Sequence, residues 1–165
     1  MKGFRVVLVA VAGLVTLHAG TGCRAATDRA RVSASAAADG WTPTELATLT
    51  GKTWMLREWN LGEAAPAEPM VTLRYDEGRF TGRTGCNRYN AAVRPGTAPG
   101  TITLGAVAAT RMMCPEPAAG IEARFLAALP AAQAVHLRDG RLGIAYVGPK
   151  GVATLVFDEI RAVAN

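Results

Sequence analysis

The sequence predicts a mainly β (α+β) domain: a curved antiparallel sheet or small barrel of about seven strands with one helix across it. Three observations carry this. Apolar and polar side chains alternate in several short runs, glycine-containing turns separate those runs, and only one stretch has apolar residues at helical spacing. Apolar residues make up 50% of the 165, enough to fill one core.

The chain begins with an address rather than a fold element. Lys2 and Arg5 form a basic start, Val6 to Leu17 is an apolar run, and Ala19, Gly20 and Gly22 lead to Cys23. That order describes a secretory signal over 1–22, and the run is short of the ~20 residues that a membrane-spanning helix needs. Gly20-Thr21-Gly22-Cys23 is similar to the box at which bacterial lipoprotein precursors are cut before a lipidated cysteine, although its first position is usually Leu. A plain signal cleaved near Cys23-Arg24-Ala25 is the alternative. Residues 23–41, rich in Ala and Ser, read as the lipidated Cys23 and a flexible tether, because such a stretch buries too little to offset its ordering entropy.

The domain is expected over 42–160. Thr42-Pro43-Thr44-Glu45 reads as a capping box opening a short helix over 43–49, with Gly51 as its stop. A strand follows from Lys52 with Trp54, Leu56 and the stem of Glu58 on one face. The proline-rich stretch 62–69 is a loop. Val71, Leu73 and Tyr75 alternate in a second strand, which Asp76-Glu77-Gly78 turns back into Arg79-Phe80-Thr81. Residues 101–107 alternate again, with Ile102, Leu104 and Ala106 on one side. Ile121, Phe125 and Leu129, four apart between Pro117 and Pro130, predict the helix. Val135 to Arg138 and Arg141 to Tyr146 flank Asp139-Gly140, a strong hairpin signal, and Gly148 to Gly151 leads into a last strand over 152–157.

The composition excludes several chemistries. Serine occurs only at Ser33 and Ser35, in the tether, so the domain holds no Ser-His-Asp arrangement. His18 leaves with the signal, and His136 reads as a solvated or edge residue. Cys86 and Cys114 are the cysteines left if Cys23 carries lipid; in an oxidising compartment a disulfide is their expected use. Zinc is the sharper alternative but finds too few ligands at suitable spacing, and a free thiol beside His136 is the third reading. Among Asp76, Glu77, Glu116 and Glu122 no carboxylate pair stands out. The expectation is therefore no enzyme, no metal and no cofactor.

Charge points the same way. The formal net charge of +5 falls to +3 once Lys2 and Arg5 are removed, and no basic run occurs. Arg74-Tyr75, Arg79-Phe80 and Arg88-Tyr89 repeat a basic-aromatic pair, which reads as arginine outward and aromatic inward on strands. Nucleic acid is not an expected partner.

Gly85-Cys86-Asn87-Arg88-Tyr89 and Thr110-Arg111-Met112-Met113-Cys114-Pro115 form an unusual pairing. With Leu49, Gly51, Trp54 and Leu56 before them, Glu122 and Phe125 in the helix, and Leu155 and Phe157 at the end, they resemble the META domain, the HslJ-like family of small envelope lipoproteins. The resemblance covers about residues 46–158. This chain departs from the family's pattern at Ala91 and Val93, where Gly and an aromatic are common, and at Met113, where Ala is usual and a larger core side chain is expected. The resemblance implies a compact β fold, an exported protein and a link to envelope stress or secretion, with no catalytic residues to transfer. Gly85, Asn87, Tyr89, Thr110 and Met112 are then structural motif residues, Gly85 and Asn87 suiting a strand end or bulge. The function expected is a noncatalytic envelope lipoprotein, anchored to the membrane through Cys23 with its domain facing the periplasm, acting by binding an envelope protein. An inhibitor of a hydrolase, or a carrier of a small apolar ligand using loops 62–69 and 94–100, is the alternative.

Overall fold

A computed structural model describes residues 27–32, 34 and 40–160. The expected signal and Cys23 lie outside the described residues. The strands are β1 (Thr42–Pro43), β2 (Thr53–Asn60), β3 (Glu63–Ala64), β4 (Thr72–Asp76), β5 (Arg79–Arg83), β6 (Arg88–Pro95), β7 (Ile102–Ala109), β8 (Ala132–Arg138), β9 (Arg141–Gly148) and β10 (Gly151–Ile160). An α-helix, α1 (Ala118–Ala128), and 3-10 turns at Leu46–Leu49 and Leu129–Ala131 lie between them, and residues 27–32 ahead of the sheet are also helical. The strands join in one antiparallel sheet of order β1-β8-β9-β10-β2-β4-β5-β6-β7, with β3 paired to β2. The fold is thus the expected curled antiparallel sheet with one helix, a half-barrel built from ten strands rather than about seven. The additional ones are β6 and the two-residue β1 and β3.

The curl brings the sheet's far ends together. Thr101, just before β7, bridges Ala134 of β8, and the Val135 amide donates to the Gly100 carbonyl at 2.7 Å. Inside lie Trp54, Leu73, Phe80, Leu142, Ile144, Leu155 and Phe157, each at most 1% exposed. Helix α1 closes the open side with Ile121 and Phe125, and Leu129 follows from the adjoining turn. Phe125 packs on Tyr89 with ring centres 5.2 Å apart. Arg124, one residue along, stacks over Trp59 at 4.6 Å and pairs with Glu63, which fastens the helix to β2 and β3.

Two of the short hairpins, β4–β5 and β8–β9, use the turn chemistry that their sequences dictate. Glu77-Gly78 and Asp139-Gly140 each place two consecutive residues at positive φ, the geometry whose twist matches paired strands. The three basic-aromatic pairs also behave as expected: Arg74, Arg79 and Arg88 are exposed, while Phe80 and Tyr89 are buried and Tyr75 is half-buried.

Where the structure departs from the alternation rule, a bulge accounts for it. In β2 an extra residue separates Leu56, opposite Phe157, from Glu58, opposite Val156, so that Trp59 turns into the core beside Trp54 and Leu56. In β7 an extra residue falls between Leu104 and Val107. Val107 and Ala109 therefore take the inward positions and Ala106 is exposed, contrary to the expectation for Ala106.

Four further expectations are corrected. The capping box does not start a helix: Thr42-Pro43 pairs with Leu137-His136 of β8, which pulls the backbone extended, and only Leu46–Leu49 forms a turn, with no side-chain cap from Glu45. His136 is 2% exposed, enclosed between β1 and β9 instead of solvated. Met113 is fully exposed rather than part of the core. Within the expected tether, residues 27–32 are helical, and Val32 is buried with Ala134 and Ala145 on the outer face of the sheet.

Candidate functional site

The motif segments meet where β5 turns into β6. Thr84 starts the turn, its amide donating to the Asn87 carbonyl at 2.8 Å. Gly85 takes φ +99°, and a Cβ built there would sit 3.2 Å from Ile121 Cγ2 of α1, so glycine serves both the turn and the close approach of the helix.

Asn87 is the hub. It is 2% exposed, and its side chain uses both ends. Oδ1 accepts from the Thr110 hydroxyl at 2.7 Å and from the Met112 amide at 2.8 Å. Nδ2 donates to the Met112 carbonyl at 3.2 Å and to the Glu122 carboxylate at 3.0 Å. The Asn87 amide donates to Glu122 Oε2 at 3.0 Å, and the buried Thr84 hydroxyl also donates to that oxygen. Three segments distant in sequence, the 84–87 turn, the 110–112 stretch and α1, are thereby locked by one asparagine. Cys86 and Cys114 form the expected disulfide beside it, their Cα atoms 6.3 Å apart, within the usual span for a bridge.

Burial disfavours the charged Glu122 carboxylate, but the hydrogen bonds from Thr84 and Asn87 outweigh it and hold its pKa below the ordinary value. A folded pKa below the unfolded one adds stability above the unfolded pKa, and that stability is lost as pH falls through the folded value. Part of the acid sensitivity of the fold should therefore reside in this residue. Glu122→Gln is expected to flatten the fall in melting temperature below the ordinary carboxylate range while lowering it at neutral pH. Parallel acid-induced melting profiles for variant and wild type would refute this.

The ionisable groups of this arrangement are already engaged. Both cysteines are bonded to each other, Glu122 is held ionised, and burial pushes the Tyr89 phenol up while its hydroxyl donates to the Thr72 carbonyl at 3.0 Å. His136 lies elsewhere, on the outer face of β8, and desolvation lowers its pKa. Among the described residues no group of three or more His, Cys, Asp and Glu side chains is placed to share a metal ion.

Sequence reasoning located Gly85, Cys86, Asn87, Tyr89, Thr110, Met112 and Cys114, and the structure brings all seven together. It anticipated local backbone bonds from Asn87 but missed Thr84 and the role of Glu122. The available signal was position: Glu122 adjoins the apolar row Ile121, Phe125, Leu129, where a carboxylate sits at the edge of the buried stripe.

A separate cleft of ≈ 500 Å³ opens between Thr44–Ala47 and the loop 95–101, with Leu46, Tyr75 and Ile102 among its walls. Its outer wall is the expected contact loop 94–100.

Fold and site together define a small, disulfide-linked half-barrel domain organised around a Gly-Cys-Asn turn. The chain belongs to the META domain family, whose family model matches residues 47–159. It is similar to a protein from Burkholderia xenovorans solved by NMR, with 26% identity over 73% of this chain and 91% of that one, at a TM-score of 0.53. A second NMR structure, 20% identical, covers 70% of this chain and 94% of its own at a TM-score of 0.54, a likeness of fold. No curated protein matches the chain.

Proposed function

We propose that this chain is a noncatalytic, exported envelope lipoprotein, anchored through lipid on Cys23 with its META domain facing the periplasm. It supports envelope stress tolerance or secretion by binding another envelope component. The observation that carries this reading is the use of the motif's polar groups: Asn87, Thr84, Thr110 and Glu122 are committed to one another and to backbone, which builds a rigid platform and leaves none of these four side chains poised for a substrate. The anchor is supported by Cys23 following a basic start, an apolar run and small residues.

Cys23→Ala is expected to shift the protein from the membrane fraction to the soluble fraction and to abolish incorporation of labelled palmitate. Wild-type protein that is already soluble, with its N-terminus at Ala26, would exclude the anchor.

One observation favours a second reading, the carrier of a small apolar ligand: the cleft between Leu46, Tyr75 and Ile102 has the volume of a small-molecule site. Capture from envelope extract separates the readings. A retained lipid supports the carrier, and a retained assembly or transport component supports the platform.

A further inference from the structure

Arginines that are scattered along the sequence converge on one face of the folded sheet. Strand register places Arg74 opposite Thr81, Arg79 opposite Asp76 and Arg83 opposite Arg88. Side chains two apart share a face, so Arg74, Arg79, Arg83, Arg88 and Arg94 all project from the outer side of β4, β5 and β6. All five are exposed. Asp76 is the carboxylate registered among them. Elsewhere the cations Lys52, Arg57, Arg124 and Arg141 each sit in an ion pair, but among the described residues none of these five does. Arg83 directly opposite Arg88 is repulsive for an isolated domain. A shallow recess of ≈ 310 Å³ adjoins that pair.

Two further observations bear on what covers this face. The first is apolar: Thr110 is hydrogen-bonded to Arg88, and just beyond it Met112 is 59% and Met113 102% exposed, on a segment held rigid by Asn87 and the disulfide. The second is the path of the chain. Arg29 donates to the Thr103 hydroxyl at 3.2 Å, and Thr103 stands opposite Arg94. The N-terminal segment therefore arrives beside the same face. Cys23 lies six positions before Arg29, a reach of at most ~20 Å.

We propose that the outer face of β4–β6, with Met112 and Met113 at its rim, docks on the surface of an anionic phospholipid bilayer. The guanidinium groups meet lipid phosphates in bidentate contacts, and the two thioether side chains enter the boundary between headgroups and acyl chains. A soluble polyanion would satisfy the arginines but leave both methionines in water. The proposal rests on the lipoprotein reading only for the anchor that holds this side near the bilayer; the face itself does not need Cys23.

The test uses the full chain carrying Cys23→Ala, sedimented with vesicles of phosphatidylcholine alone and of phosphatidylcholine mixed with phosphatidylglycerol. The expected result is tighter binding to the mixed vesicles, weakening with salt. Replacing Arg83, Arg88 and Arg94 with Ser should weaken it on the order of 100-fold, with an unchanged or higher melting temperature. Met112→Ser with Met113→Ser should also weaken binding while leaving the salt dependence in place. If the triple variant does not fold, Arg94→Ser alone, at the exposed end of β6, carries the comparison. Equal binding to both vesicles, undiminished binding of the arginine variant, or capture by dextran sulfate without capture by vesicles would overturn the proposal. The mass of wild-type protein from cells reads the lipid separately. Lipid on Cys23 without charge-selective binding refutes the docking alone; charge-selective binding without lipid refutes the anchor alone.

Discussion

Trp54→Ala is expected to lower stability by about 3 to 5 kcal/mol, because the indole is 1% exposed and removal of a large core ring leaves a cavity that its neighbours only partly fill. Such a loss approaches the whole stability of a small domain. Trp54 stands opposite Leu73 on β4 and Glu159 on β10, at the middle of the sheet, so the cavity would open between its two halves. Trp54→Phe should cost clearly less: the indole Nε1 has no acceptor among the described residues, and phenylalanine removes that buried donor along with part of the volume. Chemical denaturation followed by circular dichroism measures both variants. An alanine variant melting within a few degrees of wild type would show that the ring is not the central packing residue.

Replacing Cys86 and Cys114 together with Ala should cost about 3 to 4 kcal/mol in the chain-entropy treatment. The bridged residues are 28 apart in sequence, and the loop between them contains all of β6 and β7. The effect has a local component too. Cys114 fixes the far end of the segment whose near end is held by Asn87, so without the bridge the exposed Met112 and Met113 lose one of their two supports. Melting of the double variant, and of wild type with reductant, should fall together. Alkylation of the unreduced protein followed by mass spectrometry checks the premise: labels on residues 86 and 114 would reject the bridge and reopen the thiol and metal chemistry.

Most of the architecture is written in local patterns. The Asp139-Gly140 turn, the alternation of Val71, Leu73 and Tyr75, and the four-residue spacing of Ile121, Phe125 and Leu129 each depend on residues close in sequence, and each appears as expected. What escaped depends on long-range pairing. Trp59 and Val107 reach the core through bulges that exist because β2 and β7 pair with strands of different residue count. Thr42-Pro43 has sound helix-starting chemistry, yet pairing with β8 overrides it. The candidate site divides along the same line. Cys86, Asn87 and Cys114 were legible because their residue types are rare and distinctive, whereas Glu122 gains its meaning only when α1 swings onto the 84–87 turn. The arginine face is the extreme case: register, not sequence proximity, assembles it.

The two bounding strands of the sheet carry a consequence for behaviour at high concentration. An open β edge invites a second molecule to add its own strand and extend the ladder. On one side the edge is β1, two residues long, with Pro43 lacking a donor. On the other it is β7, whose irregularity between Leu104 and Val107 breaks the even spacing that a docking strand would require. The same extra residue that sends Val107 inward thus also blunts the part of this margin that the curl onto β8 leaves open, and the domain is expected to resist edge-to-edge polymerisation.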